Sequence, residues 1–62
     1  MVYVVKVGSS HAFKPLGFVE AGYNEDSVIA ILKARYPWAV NGTFVFVPVS
    51  RESLSPDLEL IV

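Results

Sequence analysis

The sequence predicts an α+β fold in which one helix packs on one face of a small antiparallel sheet. Runs of β-branched and aromatic residues alternate with turn signals along most of the chain, which is typical of short strands. One segment near the middle instead carries helical apolar spacing between a capping residue and a proline. The resulting element order is β-β-α-β, with a fourth strand as an option at the C-terminal end. All elements belong to a single small domain spanning residues 1–62.

The first two strands are predicted on either side of a polar turn. Residues 2–7 are mostly β-branched and end at a Gly-Ser-Ser turn, and residues 11–21 give the second strand. Pro15 and Gly17 interrupt that strand, so a bulge or a loop is expected in its first half. We expect a wide hairpin whose connection is longer than a two-residue turn.

The helix is predicted from its two ends and its apolar stripe. Asn24 is a good N-cap, and Glu25 and Asp26 follow in the first turn, where the helix dipole favours acidic residues. Pro37 cannot continue a helix, so the helix should end near Tyr36. The stripe expected to face the sheet consists of Val28, Ile31, Leu32 and Tyr36.

The remainder of the chain predicts a third strand and a less regular end. Residues 43–47 are strongly β-prone and follow an Asn-Gly turn signal. Residues 51–55 predict a turn, and residues 57–62 predict either a fourth strand or a tail that orders only against another surface. Trp38 is expected in the core, with an exposed anchor as the alternative, because a short chain needs its large side chains inside.

The composition excludes several functional classes. The chain has no cysteine and one histidine, which excludes disulfides, thiolate zinc sites and histidine metal cages built from a single chain. A net charge of −1 disfavours nucleic-acid binding. No apolar run approaches the roughly 18 residues of a membrane span. We therefore expect no cofactor, no metal and no membrane contact, and a cytoplasmic location, which is the host cytoplasm if a phage encodes the chain.

One segment invites a catalytic interpretation. Gly8-Ser9-Ser10-His11 places two hydroxyls beside the only plausible general base. Catalysis would also need a group that orients the imidazole and donors for an oxyanion, and no spacing in the chain supplies them. A polar turn is the preferred interpretation, so no catalytic residue is predicted. The segment also resembles the Gly-Ser-His motif of HicA-type toxin ribonucleases, which would make His11 catalytic and is the last alternative.

One helix can cover only one face of the sheet, and the sequence makes the other face apolar as well. Alternation along the first strand puts Val2 and Val4 on the side opposite Tyr3 and Val5. A solvated sheet face would be polar, so this surface predicts an interface unless the C-terminal segment folds over it. Which side of residues 43–49 is buried stays open. The candidate protein-binding residues are Val2, Val4, Phe18, Phe44, Val45, Phe46, Val47 and Arg51.

Several features match a known family. They are residues 3–13, Pro15 before the second strand, Ala21 before the capped helix, and a helix from Asn24 to Tyr36. Over roughly residues 3–49 the layout resembles the small podophage inhibitors of bacterial RNA polymerase. The resemblance implies a β-β-α-β fold and modulation of a host protein such as RNA polymerase. The inhibitors carry arginines on the third strand, whereas Arg51 here lies just beyond it.

The prediction is a non-enzymatic protein-binding module that acts on another protein or on a copy of itself, as a homodimer. The alternative is a structural homo-oligomer with no separate target.

Overall fold

The computed structural model describes residues 1–9 and 12–62. It contains an antiparallel sheet and one helix, so the predicted α+β class is confirmed. The strands are β1 (Val2–Ser9), β2 (Ala12–Glu20) and β3 (Thr43–Val49), and the helix α1 spans Glu25–Arg35. Short 3-10 turns occupy Pro37–Ala39 and Arg51–Ser53. No helix in the described ranges is long and apolar enough to cross a membrane.

The strand order is β2-β1-β3, so the first strand of the chain lies in the centre of the sheet. This position suits β1, because a central strand covered on both faces is apolar on both. β1 and β2 pair as far as Ser9 with Ala12, which leaves two residues between them, so the expected wide connection is wrong. Val5 faces Gly17 whereas the next residue faces Pro15, so Leu16 is the extra residue of a β-bulge.

Helix α1 begins and ends as its flanking residues predict. The Asn24 side-chain oxygen accepts a hydrogen bond of 2.9 Å from the Ser27 amide, which caps the first turn. Gly22 has a φ of 90°, a conformation that glycine adopts without strain as the chain leaves β2. At the other end the Tyr36 amide donates to the Leu32 carbonyl, and Pro37 stops the helix.

The core lies between α1 and one side of the sheet, which we call the helix face. Val28 and Leu32 of the predicted stripe are fully buried there against Val5 and Val19. Ile61, close to the end of the chain, is the fifth buried member of this cluster. The half-buried side chains around it are Tyr3, Leu16, Tyr23, Ile31, Tyr36, Phe44 and Phe46.

The end of the chain lies along the outer edge of β2. The Phe18 amide donates to the Glu59 carbonyl at 3.1 Å, and the Ile61 amide donates to the Phe18 carbonyl at 2.9 Å. Phe18 and Leu60 thus form an isolated parallel bridge rather than a regular strand. A Cβ atom on Gly17 would lie 2.8 Å from the Glu59 carbonyl oxygen, so glycine at this position lets the two segments approach.

The chain between Val49 and Glu59 must pass from one edge of the sheet to the other. It starts beside β3 and ends beside β2, with β1 between them. We call the side of the sheet opposite α1 the reverse face. Val2 and Val4 lie on it, yet Val2 has no exposure and Val4 is only 7% exposed. The chain that links the two edges therefore crosses the reverse face and covers the start of β1, where Val2 and Val4 lie.

Candidate interaction surfaces

The residues proposed for protein binding do not form one continuous surface. Val2 and Val4 are buried on the reverse face, where the chain that follows β3 covers them. Phe44 and Phe46 point to the helix face instead and are half-buried against the core. The structure therefore resolves the orientation of β3, which the sequence left open.

The other four candidate residues lie at or near the reverse face. Phe18, Val45 and Val47 lie on the reverse face, because they alternate with residues that face the helix. All three are half-buried. The exposed Arg51 contacts Glu20 at 2.5 and 2.7 Å from one guanidinium nitrogen to the two carboxylate oxygens. This ion pair joins the chain that leaves β3 to the end of β2, across the width of the sheet.

The ion pair shifts the titration of both partners. The hydrogen bond from Arg51, followed by its charge, holds the pKa of Glu20 below the usual range of a glutamate. The same bond raises the pKa of Arg51, so the arginine stays charged. Both side chains are exposed, so solvent and salt weaken the attraction.

Tyr23 organises a row of three aromatic rings on the helix face. Its ring stacks on Phe46 with centroids 4.9 Å apart and meets the edge of Tyr3 at 5.2 Å. Desolvation, with smaller contributions from Glu25 and Tyr3, raises the pKa of the Tyr23 phenol. The row favours the direction of Phe46 toward the helix face, since aromatic pairs stabilise packing beyond the area they bury.

Trp38 lies at the surface, so the expectation that it fills the core is wrong. The side chain is 58% exposed, whereas the neighbouring Ala39 is buried. The reason is the tight turn after Pro37, which directs the alanine inward and leaves the indole outside. The indole is held by the Tyr36 ring at 5.8 Å and by the Lys14 ammonium, 5.4 Å from the ring centroid.

Trp38 forms one wall of an open cleft of about 440 Å³, which we call the aromatic cleft. It lies where β1 passes into β2, beside the turn that follows α1. Phe13, 40% exposed, and Lys14 contribute from β2. Among the described residues, the lining consists of Val7, Gly8, Ser9, Ala12, Phe13, Lys14, Trp38, Ala39, Asn41 and Gly42. Such a cleft can bury an apolar side chain, and Lys14 is the one charged group among the described residues that line it.

Within residues 1–9 and 12–62, no group of three His, Cys, Asp or Glu residues could hold a metal ion. The catalytic interpretation of the first turn concerns Ser10 and His11, which lie outside the described residues.

No protein-family model matches the sequence, and neither a curated protein nor a solved structure is significantly similar to it. The geometry of the chain itself therefore carries the functional argument.

Proposed function

We propose that this protein is a non-enzymatic binding module that docks on another protein through the aromatic cleft. The observation that supports the proposal is the exposure of Trp38 in contact with Tyr36 and Lys14. A tryptophan in water keeps a large apolar surface hydrated, and burying it in a partner recovers that free energy. Tryptophan is also enriched among the residues that dominate the energy of protein interfaces.

The cleft favours a partner that inserts an apolar side chain next to an acidic group. Phe13 and Trp38 supply apolar walls, and Lys14 adds a positive charge at the rim. A carboxylate of the partner could pair with the Lys14 ammonium without displacing it from the indole. Because Tyr36 and Lys14 already hold the indole, little side-chain freedom is lost on binding.

The partner class is a host protein, and the resemblance to the podophage inhibitors makes bacterial RNA polymerase the first candidate. Under this proposal the chain is encoded by a phage or a mobile element and modulates its target by occupying a surface.

A comparison of two alanine variants tests the proposal. Trp38→Ala removes the cleft wall, whereas Leu60→Ala removes an apolar side chain that is 48% exposed at the outer edge of β2. Binding is measured by surface plasmon resonance on purified bacterial RNA polymerase and by capture from a bacterial lysate. We expect Trp38→Ala to weaken binding about tenfold or more and Leu60→Ala to leave it near wild type. Equal binding by all three proteins, or no binding partner at all, would contradict the proposal.

A further inference from the structure

The two edges of the sheet differ in whether another segment of the chain covers them. The outer edge of β2 is covered by the C-terminal segment, whose backbone bonds to both polar groups of Phe18. The outer edge of β3 has no such cover within the described residues. An apolar edge strand with unpaired backbone groups is a template for pairing with another strand.

The hydrogen bonds of Phe18 reveal which backbone groups of β3 point outward. Phe18 directs its N–H to the Glu59 carbonyl and its C=O to the Ile61 amide, both away from β1. Val4, its antiparallel partner, therefore directs its own N–H and C=O to the other side, toward Val47 of β3. This follows because paired positions in an antiparallel ladder alternate between bonded and non-bonded.

The same alternation continues along β3. Val45 and Val47 direct their polar groups inward to β1, so Phe44, Phe46 and Pro48 direct theirs to the open edge. Pro48 agrees with this assignment, because a proline in an edge strand turns its nitrogen, which has no hydrogen, to the outside. The open edge thus offers an N–H and a C=O from each phenylalanine, placed symmetrically about Val45.

We propose that two copies of this chain pair through β3, antiparallel and with Val45 opposite Val45 of the second copy. The two three-stranded sheets then become one sheet of six strands, with both helices on the same face. The proposal concerns the β3 edge and is independent of the aromatic cleft.

This register satisfies all four outward groups of the two phenylalanines. Phe44 of each copy faces Phe46 of the other, and each such pair exchanges two hydrogen bonds. A shift that centres Phe46 places the Phe44 carbonyl opposite Pro48, which has no N–H to donate. A shift that centres Phe44 places the Phe46 carbonyl opposite Gly42, whose N–H is already bonded to the Ala39 carbonyl. The edge is therefore self-complementary in the register centred on Val45.

The side chains fit the same register. On the reverse face Val45 meets Val45 and Val47 meets Thr43, and on the helix face Phe44 meets Phe46. Pairs of β-branched and aromatic residues stabilise neighbouring strands, and like charges that face each other would destabilise them. β3 carries no charged residue, so the pairing brings no like charges together.

A pair of cysteine variants tests the register, because the natural chain has no cysteine. The Cα atoms of opposed Val45 residues should lie about 4.5 Å apart, within the range of a disulfide. The two Val47 residues should lie about 13 Å apart, four residues along the strand at about 3.3 Å each. Under mild oxidation Val45→Cys should become a disulfide-linked dimer, whereas Val47→Cys should stay reduced at the same concentration.

Sedimentation of the wild-type protein provides the second measurement. It should be a dimer at high concentration, and its melting temperature should rise with concentration. Thermal melts of the two reduced variants, each matching the wild type, confirm that both are folded. A wild type that stays monomeric at every concentration would overturn the proposal. So would cross-linking of Val47→Cys at the rate of Val45→Cys, whether or not the protein dimerises.

Discussion

The Glu20–Arg51 ion pair shows how one long-range side-chain contact can mark the path of a chain. The two residues are 31 positions apart, and neither lies in a motif that would suggest pairing. The sequence analysis includes Arg51 among the candidate protein-binding residues. Nothing in the sequence around Arg51 indicates that Glu20 is its partner. In the structure the arginine is already engaged, on the side of the sheet that the following chain crosses.

The pH dependence of stability should reflect this pair. The pKa of Glu20 is lower in the folded protein than in the unfolded chain, so the pair stabilises the fold above the ordinary glutamate pKa. This contribution is lost as the pH falls through the lowered pKa. Urea titrations across the acid range should therefore show a shallower loss of stability for Glu20→Gln than for the wild type. Added salt should reduce the difference, because the pair is exposed.

Glu52→Gln is the matched control, since this exposed carboxylate forms no ion pair with the described residues. Its pH profile should follow the wild type. Coincident profiles for Glu20→Gln and the wild type at low salt would show that the pair adds nothing to stability.

Trp38 marks the limit of prediction at the scale of one residue. Large apolar side chains are mostly buried, and that rule placed the indole in the core. The rule fails here because Pro37 begins a tight turn in which Ala39 is buried and Trp38 is exposed. A single apolar residue has no periodicity, so the sequence offers no signal of the side to which it points.

Helix α1 could be predicted nearly to the residue because its determinants are local. The cap at Asn24, the stop at Pro37 and the buried positions Val28 and Leu32 lie within a few residues of the bonds they affect. For the same reason Pro15 and Gly17 indicate an interruption of β2, as a bulge or a loop, and the structure has the bulge.

Asn24→Ala should lower the free energy of unfolding by about 1 kcal/mol, because the amide of Ser27 loses its acceptor. Asn24→Ser keeps a capping oxygen and should stay near wild type. Chemical denaturation monitored by circular dichroism measures both. An equal loss in the two variants would mean that the asparagine acts by something other than its cap.

The course of the C-terminal segment could not be predicted from local signals. Its strand-like residues gave two alternatives, and its position depends on contacts with residues some 40 positions earlier. Gly17 indicates a bulge or a loop in the sequence, and the structure has a bulge beside it, but Gly17 also lets the backbone of Glu59 approach β2. The sequence around Gly17 contains no signal of this second role, because the approach depends on a segment far along the chain.

For the molecule as a whole, the sequence correctly indicated a sheet that is apolar on both faces. The sequence could not indicate which part of the reverse face the chain itself covers and which part stays accessible to solvent. The chain after β3 buries Val2 and Val4, whereas Val45 and Val47 stay half-buried near the open edge. Residues 50–58 thus complete a second layer over the start of β1, and the strand edge left without a backbone partner among the described residues is that of β3.

The second layer also sets the order in which the native protein opens. It is held to the sheet by two backbone bonds, Ile61, an exposed ion pair and the cover over Val2 and Val4, with no continuous strand ladder, so it should be the first unit to detach. In native-state hydrogen exchange, the Ile61 amide should then exchange by a local opening, and the amides of β1 only by global unfolding. Each such opening briefly returns Val2 and Val4 to solvent. The protein would therefore have a sparsely populated open state in which the apolar reverse face of β1 is exposed to solvent. The lifetime of this open state is set by how fast the roughly dozen residues after β3 dock again.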